Sequence, residues 1–150
     1  MRTATDSWRR LNPEYHWRYV NDTEQRAQVH RLGSRMLVQA YDSALTGAAR
    51  CDLWRALIIY KHGGVYADVD TTLLTPLSKL IRDDDEGLSG IGQRGDLHQW
   101  FLACAPGHPL LAHLLRHAMH QSSLLSPENI AGPRALHHVH SLFEHSCLYG

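Results

Sequence analysis

The chain has 150 residues, 43 % of them hydrophobic, enough for one domain with a core of its own. Lys+Arg and Asp+Glu each number 15, and a formal net charge of zero excludes an electrostatic grip on nucleic acid or an anionic membrane as the organising theme. No apolar run is long enough to span a bilayer, and the segment before Trp8 carries no signal-peptide pattern.

In chain order, Tyr15 to Val20 alternates large and polar groups and is predicted to be a strand. Trp17 and Tyr19 are read as core aromatics. Asn21 or Asp22 caps a helix predicted to run through Glu24 toward Leu37. A second helix carries Ala49, Leu53, Ala56, Leu57 and Tyr60 at core-facing helical spacing. On it, Asp52 and Arg55 are i and i+3, neighbours on the helix surface. The helix is expected to stop at His62-Gly63 with a left-handed glycine cap, and Gly64 then lets the backbone turn sharply. An apolar strand follows and ends in Asp68-Val69-Asp70. Side chains on a strand alternate faces, so Asp68 and Asp70 are expected to point the same way. Two such carboxylates form a hard-oxygen site suited to Mg²⁺ or Mn²⁺, with positions open for phosphate oxygens. That chemistry suggests a nucleotide or nucleotide-sugar substrate.

Downstream, Ser78 to Ile81 reads as a short turn and Arg82 to Gly87 as a charged loop. Leu88 to Ile91 and Gln99 to Ala103 read as short strands. Pro109 starts a helix with Leu110, Leu111, Leu114, Leu115 and Ala118 on its buried side, and Pro133 a last helix toward Phe143. No repeat or linker divides the chain, so residues 1–150 are taken as one domain.

Cys51, Cys104 and Cys147 are far apart and lack CxxC spacing, which supports neither a zinc ribbon nor a disulfide framework and favours a reducing compartment. His113, His117 and His120 share a helix face, and His137, His138, His140 and His145 cluster near the end. Neither group has a Cys or acidic partner at ligand spacing, so no metal role is assigned to them.

The joined run R-x-D-L-W-R-x-x-x-x-Y-x-x-G-G-x-Y-x-D-x-D, from Arg50 to Asp70, resembles the core of glycosyltransferase family 32. Asn12-Pro13-Glu14-Tyr15 with Asn21-Asp22 resembles the family's upstream segment. Ala105-Pro106-Gly107-His108-Pro109 resembles its PGHP segment, and Gly132-Pro133 its TGP turn. The resemblance runs from Trp8 to Leu136 and implies an α/β, GT-A-like nucleotide-sugar-binding fold, here shortened at both ends. The apolar first strand of relatives is absent before Trp8, and Gln99 stands for the Asn that often precedes PGHP.

The implied activity is metal-dependent hexose transfer, with retention, from a nucleotide-diphosphate sugar to a glycan or lipid hydroxyl. The implied metal ligand is Asp70, with Asp68 at the ribose and metal shell. Asp52 is expected at the donor-sugar hydroxyls, Arg55 at sugar or phosphate, and Gly63 and Gly64 at the approach to the donor. The bland reading of Asp52 and Arg55 is a surface ion pair of about 0.3–0.5 kcal/mol. Two rival functions are a catalytically inactive or partner-dependent sugar-nucleotide-binding domain and a DxDxT phosphatase using Asp68 and Asp70. Nothing in the sequence reads as nucleic-acid binding or as a transmembrane segment. A cytoplasmic, bacterial-type location is expected, peripheral to the membrane at most; a fragment of a eukaryotic relative would belong in the Golgi lumen.

Overall fold

A computed structural model describes residues 4–93, 95–121 and 131–148, without the side chains of 121 and 142–148. Helix α1 (Ala4–Leu11), unread in the sequence, is followed by α2 (Asp22–Leu32), α3 (Arg35–Ser43) and α4 (Gly47–His62). Strand β1 (Gly64–Ala67), a 3₁₀ turn (Leu77–Lys79), β2 (Gly87–Ile91) and β3 (Leu97–Cys104) come next, then α5 (Pro109–Gln121) and α6 (Pro133–Leu148).

The three strands form one antiparallel sheet in the order β1-β3-β2. Central β3 pairs Phe101 with Ala67 and Cys104 with Gly64 on one side, and Ala103 with Leu88 on the other. The register slips between Ser89 and Gly90, a bulge of the kind that bends a strand. One apolar cluster draws Val29 from α2, Leu37 and Ala40 from α3, Leu53 and Leu57 from α4, Leu102 from β3, and Leu114 and Leu136 from α5 and α6.

The helix ends follow their chemistry. Asn21 accepts from the Glu24 N–H at 3.0 Å and caps α2. The single helix expected to run toward Leu37 is instead two. Ser34 caps α3 by accepting from the Leu37 N–H at 3.3 Å, and its extended backbone, with that of Gly33, ends α2. Helix α4 stops where expected, at Gly63, whose φ of 66° and ψ of −163° suit only glycine. A side chain there would also lie 2.7 Å from Pro106 Cδ. The Gly107 N–H donates to the Tyr60 carbonyl at 2.7 Å, so the PGHP segment closes the end of α4.

Tyr15 to Val20 is not a strand. It lies outside the sheet, and with no neighbouring strand among the described residues its alternation has no ladder to join. Tyr19 is 58 % exposed and Trp17 only half-buried, with the Arg9 guanidinium 4.0 Å from its ring centre, so neither is a core aromatic. Beyond them, Asn12 is buried and joins two segments. Its Nδ2 donates to the Trp8 carbonyl at 2.9 Å and its Oδ1 accepts from the Leu77 N–H at 2.8 Å. The three terminal-helix histidines His137, His138 and His140 lie on α6, where the His138 ring is 5.8 Å from that of His117 on α5. The side chains of His145 and Cys147 lie outside the described residues; Cys51 and Cys104 are free thiols.

Candidate functional site

The middle of α4 is buried all round: Leu53, Ala56 and Leu57 pack into the apolar cluster while Asp52 and Arg55 turn elsewhere, only 8 % and 7 % exposed. The pair is therefore not a surface ion pair. Arg55 Nη2 lies 2.7 Å from Asp52 Oδ1, and Nη1 lies 3.2 Å from Asp68 Oδ1. Nη1 also donates to the Gln99 carbonyl at 2.7 Å, and Nε to the Cys51 carbonyl at 3.4 Å. A guanidinium has five N–H donors, so protein partners take four of them. The guanidinium also lies over the Tyr66 ring, 4.8 Å from its centre.

Asp68 is held from a second side. The Tyr66 hydroxyl donates to Asp68 Oδ1 at 2.5 Å, and the Cys51 sulfur lies 3.4 Å from the same hydroxyl. Burial pushes the Tyr66 hydroxyl well above the usual phenol range and raises the Cys51 thiol. Both keep their protons, so the chain of donation runs from Cys51 through Tyr66 to Asp68. Trp54 packs edge-on to Tyr66, 6.0 Å between ring centres, and its Nε1 donates to Gln28 Oε1 at 2.8 Å.

One cation here serves two carboxylates. Burial raises the Asp52 carboxyl; Arg55 opposes that and Asp68 adds to it. Burial also acts against the Arg55 charge, but Asp52, Tyr66, Cys51 and Asp68 together raise its pKa above the ordinary value. Both values rise, but the rise favours the neutral form of Asp52 and the charged form of Arg55, because Arg55 faces more negative charge than Asp52 faces positive charge. Asp52, Asp68 and Arg55 together carry an excess negative charge when ionised.

Asp68 and Asp70 are not alternating residues of a strand. Strand β1 ends at Ala67, and Asp68-Val69-Asp70 is a turn. The Asp68 N–H still donates to the Trp100 carbonyl at 2.9 Å. The Asp68 carbonyl then accepts from the Thr71 N–H at 3.1 Å and from Thr71 Oγ1 at 2.6 Å. A threonine hydroxyl bonding the backbone three residues back competes with the ladder and closes the turn. Asp70 is left exposed on it, with no hydrogen bond or ion pair among the described residues.

The turn is braced by α1. Trp8 Nε1 donates to the Thr71 carbonyl at 2.9 Å, and Ser7 Oγ accepts from the Leu73 N–H at 2.9 Å. Trp8 also stacks on Phe101 at 6.1 Å. Sequence reasoning missed Ser7, Trp8, Tyr66 and Gln99 as parts of this assembly. Tyr66 was legible in principle, because it stands two residues before Asp68, the spacing that puts two side chains on one side of an extended segment. The partners of Ser7 and Trp8 are more than 60 residues away, and no local pattern signals them.

The donors on the turn are hard oxygens, suited to Mg²⁺ or Mn²⁺. Asp70 is uncommitted, while one oxygen of Asp68 is taken by Arg55 and Tyr66. Among the described residues no three His, Cys, Asp or Glu side chains gather around one point. A cation held by one or two carboxylates and completed by waters and phosphate oxygens is the usual arrangement for Mg²⁺. The residues present fit that arrangement.

Residues 1–86, more than half of the chain, match the family described as "Glycosyltransferase sugar-binding region containing DXD motif". The chain belongs to this family of DXD glycosyltransferases. Among its relatives are the initiation-specific alpha-1,6-mannosyltransferase of Schizosaccharomyces pombe, 28 % identical over 134 residues, and that of Candida albicans, 26 % identical over 133 residues. The alignments cover 75 % and 73 % of this chain and 34 % of each relative. The putative glycosyltransferase HOC1 of Saccharomyces cerevisiae is 27 % identical, over 72 % of this chain and 32 % of its own length. The chain thus spans about a third of the length of these curated relatives. Among solved structures, the PaToxG glycosyltransferase superposes with a TM-score of 0.63 at 17 % identity, covering 80 % of this chain and 48 % of that one. That likeness is one of fold and bears out the mixed α/β, GT-A-like reading. Among the described residues of this DXD glycosyltransferase chain, no helix is long and apolar enough to cross a membrane.

Proposed function

We propose that the protein transfers a hexose from a nucleotide-diphosphate sugar to a hydroxyl of a glycan or lipid acceptor, with retention, and depends on Mn²⁺ or Mg²⁺. The observation that carries this reading is the division of labour around one turn. Buried Arg55 fixes Asp52 and Asp68, and the neighbouring Asp70 stands exposed and uncommitted.

In this reading Asp70 holds the cation directly and Asp68, with its remaining oxygen, supports the metal shell and the ribose. The bound cation would neutralise charge on the departing diphosphate. Asp52 accepts hydrogen bonds from donor-sugar hydroxyls. Arg55 holds both carboxylates in place and keeps one N–H for sugar or phosphate, because its other four donors are committed. Tyr66 keeps Asp68 oriented by donating to it. Gly63 and Gly64 shape the approach, since the tight turn brings β1 directly off the end of α4. The named mannosyltransferase relatives put mannose first among the hexoses to test.

Mn²⁺ titrations with a nucleoside diphosphate, and saturation-transfer NMR against nucleotide-diphosphate sugars with and without Mn²⁺, test this function. Wild type should bind Mn²⁺ more tightly with the diphosphate present, and Asp70→Asn should lose most of that binding. An exposed substitution should change stability by no more than about 0.5 kcal/mol. Equal Mn²⁺ affinity in wild type and Asp70→Asn overturns the metal assignment. Firm Mn²⁺-dependent donor binding with no transfer to any acceptor would favour the inactive sugar-nucleotide-binding reading.

A further inference from the structure

Helix α4 lines a concavity on another side. At 3.6 residues per turn, Arg50 lies roughly 160° around the helix from Asp52. There, between α2, the end of α3 and the first turns of α4, is a groove of about 780 Å³ lined by Asp22, Gln25, Arg26, Tyr41, Asp42 and Arg50. This size falls within the range of about 300–1,000 Å³ usual for small-ligand pockets.

Two polar side chains of the groove belong to residues that are largely buried but turn their polar atoms to the groove's solvent. Tyr41 is 2 % exposed and Gln25 8 % exposed, and neither side chain makes a hydrogen bond among the described residues. The Tyr41 ring belongs to the apolar cluster, while its hydroxyl feels Arg50, Asp22 and Asp42, all groove residues. Arg50 Nε donates to the Ala44 carbonyl at 3.2 Å, which steadies the side chain. Its two Nη groups have no ion-pair partner among the described residues, and Asp22 has none either.

The chemistry of these groups selects a class of ligand. Arg26 and Arg50 are matched by Asp22 and Asp42, so the groove has no net charge with His30 neutral. A small anion would face two carboxylates and a small cation two guanidinium groups. A sugar ring presents adjacent hydroxyls that both donate and accept. Arg50 offers donors, Asp22 acceptors, and Gln25 and Tyr41 both.

We propose that this groove is a subsite for a neutral saccharide unit of the acceptor, held on a different face of α4 from the DXD turn. The acceptor role rests on the proposed transferase function; the binding of saccharide to the groove does not. The groove would hold a unit of the glycan remote from the reacting hydroxyl and so favour an extended acceptor over a monosaccharide.

The test uses saturation-transfer NMR and calorimetry without metal or nucleotide. The probes are methyl glycosides of mannose, glucose and galactose, the corresponding disaccharides, and inorganic phosphate. At least one neutral saccharide should bind saturably, disaccharides better than monosaccharides, and phosphate should not. Tyr41→Phe and Arg50→Gln should each weaken that binding at least fivefold, with melting temperatures near wild type. Arg50 is exposed, so Arg50→Gln keeps the test open should Tyr41→Phe fail to fold. Asp70→Asn should leave saccharide binding intact even if it abolishes the Mn²⁺ response, which separates this inference from the donor-site reading. Absence of saturable saccharide binding, equal binding in wild type and both groove variants, loss in Asp70→Asn alone, or preference for phosphate would each overturn the proposal.

Discussion

Arg55 and Arg26 sit in clusters built from the same chemistry, arranged the opposite way round. At the DXD turn, one buried arginine serves two carboxylates, Asp52 and Asp68. Across α2 and α3, one carboxylate, Asp42, serves two exposed bases. Arg26 Nε lies 3.0 Å from its Oδ1, and His30 Nε2 lies 3.0 Å from its Oδ2. The consequences differ in sign. Burial raises Asp52, whereas hydrogen bonds from Arg26 and then His30 lower Asp42. A guanidinium–carboxylate pair is therefore not one kind of interaction. Water around Asp42 makes its partners a modest gain, and the lack of water around Asp52 makes its partner a necessity.

The largest expected effect tests that necessity. Arg55→Ala leaves Asp52 buried beside Asp68 with no cation, and should cost about 3–5 kcal/mol in urea denaturation, with donor binding lost as well. Arg26→Ala should cost no more than about 1 kcal/mol. Comparable losses in the two variants would break the comparison. Arg55→Lys should fall between wild type and Arg55→Ala, because one ammonium cannot span Asp52, Asp68 and the Gln99 carbonyl as a planar fork does.

A smaller loss should come through the backbone that delivers Asp68 to the buried cluster. Gly63→Ala forces a side chain into φ 66° and onto Pro106, and should cost about 1–3 kcal/mol. Gly64→Ala, at φ 94° but facing open space, should cost less. Thermal melts of the two variants settle the order; equal shifts would mean that contact with Pro106 does not matter.

The smallest effects are those of pH, and their opposite signs sharpen the comparison most. Asp52 has a raised folded-state pKa, so the folded form holds its proton more tightly than the unfolded chain. Its favourable contribution is full below the ordinary carboxylate value and fades as pH rises through the raised one. Asp42 has a depressed folded-state pKa, so its contribution is present above the ordinary value and fades as pH falls through the lowered one. Stability of wild type relative to Asp52→Asn should thus decline from acid toward neutral pH, while stability relative to Asp42→Asn should grow. Slopes of the same sign in both series would show that burial does not separate the clusters.

Several features were open to reading along the chain because they are local. Only glycine suits the backbone at residue 63, so the end of α4 shows as Gly63-Gly64. The side chain of Asn21 bonds the N–H three residues on, so the start of α2 is equally visible. The spacing of Leu111, Leu114, Leu115 and Ala118 marks the buried face of α5. Asp52, Arg55, Asp68 and Asp70 stand out together because their order along one helix–turn–strand unit is itself a pattern.

Other readings failed where the outcome depends on distant partners. Tyr15 to Val20 alternates as a strand should, but pairing needs a neighbour, and among the described residues the sheet holds only β1, β3 and β2. Asp68 and Asp70 follow a strand closely enough to suggest a shared face, yet Thr71 folds the chain into a turn before the alternation reaches them. The sequence by itself determined which residues carry charge, where α4 ends and which family this chain belongs to, because each of these is written within a few neighbouring positions or their ordered spacing. Only the tertiary structure decided that Asp52 and Arg55 are buried, that Tyr66 and the Gln99 carbonyl complete their setting, and that Asp70 is exposed. Burial and partnership are set by chain segments tens of residues apart, and they decide whether a charge is solvated, paired or available to a ligand.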